Sequence, residues 1–300
     1  MLKIAFSEIY KYQVPPNHRF PMAKYELIPQ QLLHEGIVTK EHFFEPTLLS
    51  EELILSTHSL EYWQDLKHQT LPAKAARKIG LPMSAHLVHR GRVISGGTVE
   101  CALFALEHGV AMNVAGGTHH SYRDRGEGFC VINDFAITSN YLLAHRLAKK
   151  ILIVDLDVHQ GNGTAAIFEQ EPRVFTFSMH GAKNYPLKKE KSDLDIPLPD
   201  STDDATYLAI LQDQLPELIE QVKPDFICYL SGVDVLATDK LGRLGMTLAG
   251  CLERDRIVFD CCRRYSIPVA VSMGGGYSER LAHIVDAHAN TYRAAQEVFF

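Results

Sequence analysis

The sequence predicts an α/β fold with a central parallel sheet covered by helices on both faces. Two observations predict it. Short β-branched runs alternate with longer amphipathic stretches along the chain. The runs are continuously apolar, as strands buried on both faces must be. A third observation places the chemistry. Polar segments rich in Gly, His and Asp follow four of the runs, and in such sheets sites lie beyond the carboxyl ends of the strands.

Met1–Phe6 reads as a first strand; it lacks the long apolar core and cleavage site of a signal peptide. A helix is expected over Thr98–His108, with apolar residues at 99, 102, 103 and 106. Val110–Val114 is the next strand. A helix over Asp134–Lys149 follows, its closing lysines complementing the C-terminal dipole. Strands are expected at Ile151–Val154 and Val174–Phe177. Asp203–Val222 reads as helical, opened by Thr202-Asp203-Asp204 and closed before Pro224. Its internal Pro216 predicts a kink or two shorter helices. Strand Phe226–Leu230, helix Thr247–Tyr265, strand Val269–Ser272 and helix Tyr277–Phe300 complete the chain.

Composition narrows the function classes. The 300 residues are 46% hydrophobic and 22% charged, which excludes a disordered or collagen-like chain. The net charge of −6 carries no global signature for nucleic acid or an anionic membrane. Apolar runs such as Ile151–Val154 fall far short of the roughly 20 residues of a membrane helix. Six cysteines, at 101, 130, 228, 251, 261 and 262, form no CxxC pair. They are expected as buried, reduced thiols of a cytoplasmic protein.

Asp155-Leu156-Asp157-Val158-His159 is the sharpest local signal. In an extended segment alternate side chains share a face, so Asp155, Asp157 and His159 would point together. Such a set calls for a positive centre; a solvated turn is the competing reading. Asp234 follows a strand in the same way. With Asp157 and His159 it makes a three-ligand site that leaves room for water and a substrate oxygen. Zinc fits that donor set, and iron(II) or cobalt(II) would also. Alone, Asp234 could equally be a turn or cap residue. His119-His120 in a Gly-Gly-Thr-His-His turn suits proton transfer, against the bland reading of surface or core imidazoles. Gly274-Gly275-Gly276-Tyr277 would present a phenol to a developing oxyanion, or place a core tyrosine.

Five segments in register resemble the histone deacetylase family of the arginase/deacetylase fold. They are Gly116–His120, Gly126–Asp134, Asp155–Gly163, Ser231–Asp234 and Gly274–Tyr277. His58–Tyr62 is similar to an early family segment. The resemblance implies a single catalytic domain over residues 1–300 with about eight strands. It implies zinc-dependent hydrolysis of an N-acyl amide, typically acyl-lysine in a protein or peptide. It carries metal ligation to Asp157, His159 and Asp234, and general base and acid work to His120. His119 would support His120, oriented by Asp155, and Tyr277 would polarise the acyl carbonyl. Gly128 and Phe129 would line the substrate channel, with Tyr185 as the opposite wall. A potassium ion is implied beside Asp155, Asp157, His159, Ser178 and Met179. Asn162 stands where many members carry an aspartate that pairs with the second histidine. That form, and Asn184-Tyr185-Pro186, are similar to the class IV branch of human deacetylase eleven.

Three other readings compete. A small acetylated amine such as a polyamine could be the substrate. A non-catalytic acyl-lysine reader is disfavoured because every reactive group is present. A two-manganese ureohydrolase needs more carboxylates than Gln160 and Asn162 supply. Glu190–Asp193 reads as a solvated surface segment.

Overall fold

Each of the apolar runs forms a strand, and all of them join one sheet. The computed structural model describes residues 1–300. Its strands are β1 (Lys3–Ala5), β2 (Phe43–Phe44), β3 (Val110–Asn113), β4 (Ile151–Asp155), β5 (Val174–Gly181), β6 (Leu194–Leu198), β7 (Phe226–Leu230) and β8 (Val269–Ser272). They run in the order β2-β1-β3-β8-β7-β4-β5-β6, and every pairing is parallel. The fold is thus a single α/β domain on an eight-stranded parallel sheet. β3, β8, β7 and β4, the four strands followed by the segments rich in Gly, His and Asp, are neighbours at its centre. Because all strands are parallel, their carboxyl ends open at one edge.

The helices are α1 (Lys24–His34), α2 (Glu51–Leu55), α3 (Leu60–His68), α4 (Ala73–Ile79), α5 (Ala85–His108), α6 (Asp134–Ala144), α7 (Asn162–Phe168), α8 (Asp204–Val222), α9 (Leu248–Tyr265) and α10 (Leu281–Phe299). α9 packs between α8 and α10, and α5 packs on α6. Strand residues divide between two cores with period two. Met112, Leu152, Val154, Ile227, Tyr229 and Val271 join the core shared with α8, α9 and α10. Ala111, Ile151, Ile153, Cys228 and Ala270 join the core shared with α5 and α6. That division explains why the runs are apolar throughout. Each fully buried Leu, Ile or Val contributes about 1.5–3 kcal/mol.

Several boundaries differ from expectation. The helix expected from Thr98 begins at Ala85, where Ser84 accepts a bond from the Leu87 amide. Glycines at 91, 96 and 97 depress helix propensity there. Packing requires one of them: a Cβ on Gly96 would stand 2.0 Å from the Thr47 carbonyl oxygen. The helix expected to Lys149 stops at Ala144, because Arg146 turns left-handed at φ 57°. The Lys149 and Lys150 amides instead donate to Asp225. α8 runs unbroken through Pro216. The carbonyl that Pro216 leaves unpaired belongs to exposed Gln212, where water can satisfy it. The last helix starts at Leu281, leaving Tyr277 in a loop. Edge strands β2 and β6 were not anticipated; one has two residues and the other contains Pro197. All six cysteines are buried and unpaired. No helix is long and apolar enough to cross a membrane.

Candidate active site

β4 ends at Asp155 and the chain bends over residues 157–159. The segment is therefore not extended throughout, and the three side chains do not share one target. Asp155 turns to His119, while Asp157 and His159 converge with Asp234 from the loop after β7. One ligand atom from each of these three lies within 4.8 Å of the others, and all three residues are buried. His159 Nδ1 is 3.0 Å from Asp157 Oδ1 and 3.1 Å from Asp234 Oδ2. The carboxylates are held by backbone amides. Gly275 N–H donates to Asp157 Oδ2 at 2.7 Å, and Val158 N–H donates to Asp234 Oδ1 at 2.9 Å. A Cβ on Gly275 would stand 1.9 Å from Asp234 Oδ2, so only glycine lets the loop approach.

The electrostatics call for a cation. Burial and Asp157 push the Asp234 carboxyl up to about 7. Burial raises Asp157 too, but His119 and His159 outweigh it and hold it well below the carboxylate range. Burial opposes charge on His159, yet Asp157 and Asp234 push it up to about 10. The only ion-pair partners of these carboxylates are imidazoles. Two carboxylate oxygens and one imidazole nitrogen in a buried pocket fit one divalent ion with open positions.

The two neighbouring histidines have their pKa values pushed in opposite directions. His119 Nδ1–H donates to Asp155 Oδ2 at 2.7 Å. Burial disfavours its imidazolium, but Asp155 and Asp157 push it up to about 9. His120 lies with its ring centroid 4.1 Å away. Burial, then repulsion from His119 and His159, pushes its pKa well down. Its Nδ1–H donates to Asn162 Oδ1 at 2.6 Å. Asn162 Nδ2–H donates to the Tyr122 hydroxyl at 2.9 Å, and that hydroxyl donates to Glu190 Oε1 at 3.1 Å. The chain of donors runs one way, so Nδ1 carries the His120 proton and Nε2 keeps its lone pair. Paired groups with pKa values driven apart are a recurring basis of acid–base chemistry.

His120, His159, Gly128, Phe129, Tyr185 and Tyr277 share one cavity of about 410 Å³. The Phe129 and Tyr277 ring centroids are 5.9 Å apart, and Tyr185 meets His120 edge-on at 4.9 Å. Burial, then Asp234 and Asp157, pushes the Tyr277 phenol well up, so it remains a proton donor. A surface cavity of about 720 Å³ lies over Tyr62, Pro72 and Arg123 and contains none of the groups expected to react. Ser178 pairs with Asp155 across β4 and β5, and Met179 beside it is buried.

Sequence reasoning missed the supporting residues. Asp239 accepts the Tyr277 amide at 2.6 Å and also those of Leu241 and Gly242. Lys24, buried in α1, donates to the Gly274 carbonyl at 2.9 Å. Tyr122 and Glu190 end the His120 relay, so Glu190 is not a merely solvated residue. Glu127 accepts the Tyr185 hydroxyl at 2.6 Å. Asp239, Lys24, Tyr122 and Glu190 sit in no local pattern that separates them from ordinary surface or core residues, whereas Glu127 falls in the Gly126–Asp134 motif. Asp134 did fall in a quoted motif, and it binds the Gly117 and Thr118 amides that shape the histidine turn.

A family model described as the histone deacetylase domain matches residues 18–292. An uncharacterized protein of Picosynechococcus sp. is 44% identical over 296 residues, covering 99% of each chain. Histone deacetylase 2 of Arabidopsis thaliana is 27% identical, over 89% of this chain and 72% of its own. A crystal structure of an HDAC homologue complexed with SAHA matches with a TM-score of 0.85 at 24% identity, covering 99% of this chain and 84% of that one. At that identity the last match bears on the fold alone. The chain belongs to the histone deacetylase family and is a hydrolytic deacetylase.

Proposed function

We propose that the protein removes acyl groups from N-acyl-lysine side chains, using one zinc ion held by Asp157, His159 and Asp234. The observation that carries this reading is the buried convergence of those three ligands in reach of neutral His120 and the Tyr277 phenol. The bound ion would polarise the amide oxygen and lower the pKa of water; iron(II) or cobalt(II) would satisfy the same donors. His120 Nε2 takes a proton from the attacking water and later returns it to the departing amine. Burial, then the repulsion of His119 beside it, favours a neutral His120 beforehand. The Tyr277 hydroxyl donates to the acyl oxygen as its negative charge grows. Phe129, Gly128 and Tyr185 enclose the aliphatic arm of the lysine and exclude water. Potassium beside Asp155, Asp157, His159, Ser178 and Met179 belongs to the same proposal, as does membership of the class IV branch on the strength of Asn162. The test is acetate release from acetyl-lysine peptides by purified protein. A chelator should abolish release and zinc should restore it. Release that survives complete metal removal overturns the proposal.

A further inference from the structure

The outer mouth of the 410 Å³ cavity is lined by Arg19, Arg77, Lys78, Lys183, Lys240 and Arg243, and by no Asp or Glu. This runs against the sign of the whole chain, whose net charge is −6. The cations come from four separate segments: the loop before α1, the end of α4, the loop after β5 and the loop after β7. No single local cause explains them. Arg77 and Lys78 complement the α4 C-terminus, but the other four lie in loops. α4 is also strapped to the channel wall, because the Gly128 and Phe129 amides donate to the Lys78 and Ile79 carbonyls.

The carboxylates nearby leave half of the ring uncompensated. Lys78 pairs with Glu127 at 3.1 Å, and Glu127 also serves Arg125 and the Tyr185 hydroxyl. Lys183 and Arg243 share Asp200, at 3.4 and 3.0 Å. Asp239 is spent on three backbone amides. Glu279 lies with Arg19 and Lys240 in the adjoining groove but pairs with neither. Arg19, Arg77 and Lys240 are exposed and have no carboxylate partner, and they line the same cavity as His120 and Tyr277. Like charges held close at a cleft focus a field that draws opposite charge and rejects the same sign.

Resting on the deacylase reading above, we propose that the mouth selects acyl-lysines set among aspartates and glutamates. A basic, histone-like tail and an acetylated polyamine are both disfavoured at this entrance.

The test compares three labelled acetyl-lysine peptides of equal length, with acidic, neutral or basic flanks, and acetylspermidine. kcat/KM and binding by fluorescence anisotropy are measured at low and high salt. Exposed ion pairs are individually weak, so two or three together should favour the acidic over the basic peptide by about 10- to 100-fold. The preference should fall toward unity in about 1 M salt, where screening acts within about 3 Å. In the double variant Arg19→Gln/Lys240→Gln the acidic-to-basic ratio should drop about tenfold. A ratio of two substrates on one preparation is independent of the fraction that is folded. Equal kcat/KM for all peptides, or preference for the basic one, overturns the selectivity and leaves the deacylase reading standing. If no peptide is hydrolysed, the deacylase reading falls and the binding ratio alone decides the selectivity.

Discussion

Asn162→Asp would place a carboxylate where an amide oxygen now accepts the His120 Nδ1 proton at 2.6 Å. The native amide contributes no charge to offset burial and the repulsion of His119 and His159, which push His120 well down. At an effective dielectric of about 20, unit charges roughly 4 Å apart attract by about 4 kcal/mol, or about three pKa units. The new carboxylate would be buried, and it could not donate to the Tyr122 hydroxyl as Asn162 Nδ2 does. That hydroxyl already donates to Glu190. Both effects disfavour the new charge and trim the rise in the His120 pKa to about one to three units. The sign follows from the work of the base, which must be neutral to accept a proton. A higher pKa inactivates it at higher pH, so the acidic limb of the kcat/KM profile should move up by about one to three pH units. The assay is a pH series on both proteins with one substrate and saturating zinc. A limb that stays in place or moves down would mean that Asn162 only shapes the turn at Gly161–Gly163.

Three further outcomes follow from single contacts. Tyr277→Phe removes one oxyanion donor and should lower kcat about 100- to 1,000-fold with less effect on KM; turnover at the native rate would make Tyr277 a structural residue. Gly275→Ala drives a methyl group against Asp234 Oδ2 and should weaken metal affinity by about 10- to 100-fold, read by competition with a chelator; native affinity would contradict the ligand geometry. Tyr122→Phe leaves Asn162 Nδ2 without its buried acceptor and should reduce unfolding free energy by about 1–3 kcal/mol in urea; unchanged stability would show that water replaces the hydroxyl.

What could be read beforehand depended on how local the cause was. β3, β4, β7 and β8 were legible because burial on both faces makes a strand apolar along its whole length. That the segments rich in Gly, His and Asp come together was legible because parallel strands bring their carboxyl ends to one edge. α5 was truncated in the reading because the approach of Gly96 to Thr47 is a tertiary contact across 49 residues. The end of α6 was misplaced because Asp225, far along the chain, takes the Lys149 and Lys150 amides. Asp155, Asp157 and His159 do not share one direction as an extended segment would require, since the bend after β4 leaves Asp155 on His119 and brings the other two to Asp234. Asp239 and Lys24 escaped notice, and Glu190 read as merely solvated, because each acts through a partner that is remote in sequence. The cationic mouth is assembled from four segments and has no signature in any one of them.

In the proposed mechanism one divalent ion on Asp157, His159 and Asp234 is the centre of the deacylation chemistry. The direct measurement is a zinc titration of metal-stripped protein, with bound metal and acetyl-lysine hydrolysis read from the same samples. Bound zinc and activity should rise together and saturate at one ion per chain, and Asp234→Asn should depress both. Saturation at two ions, or full activity in samples that hold no metal, would contradict the account.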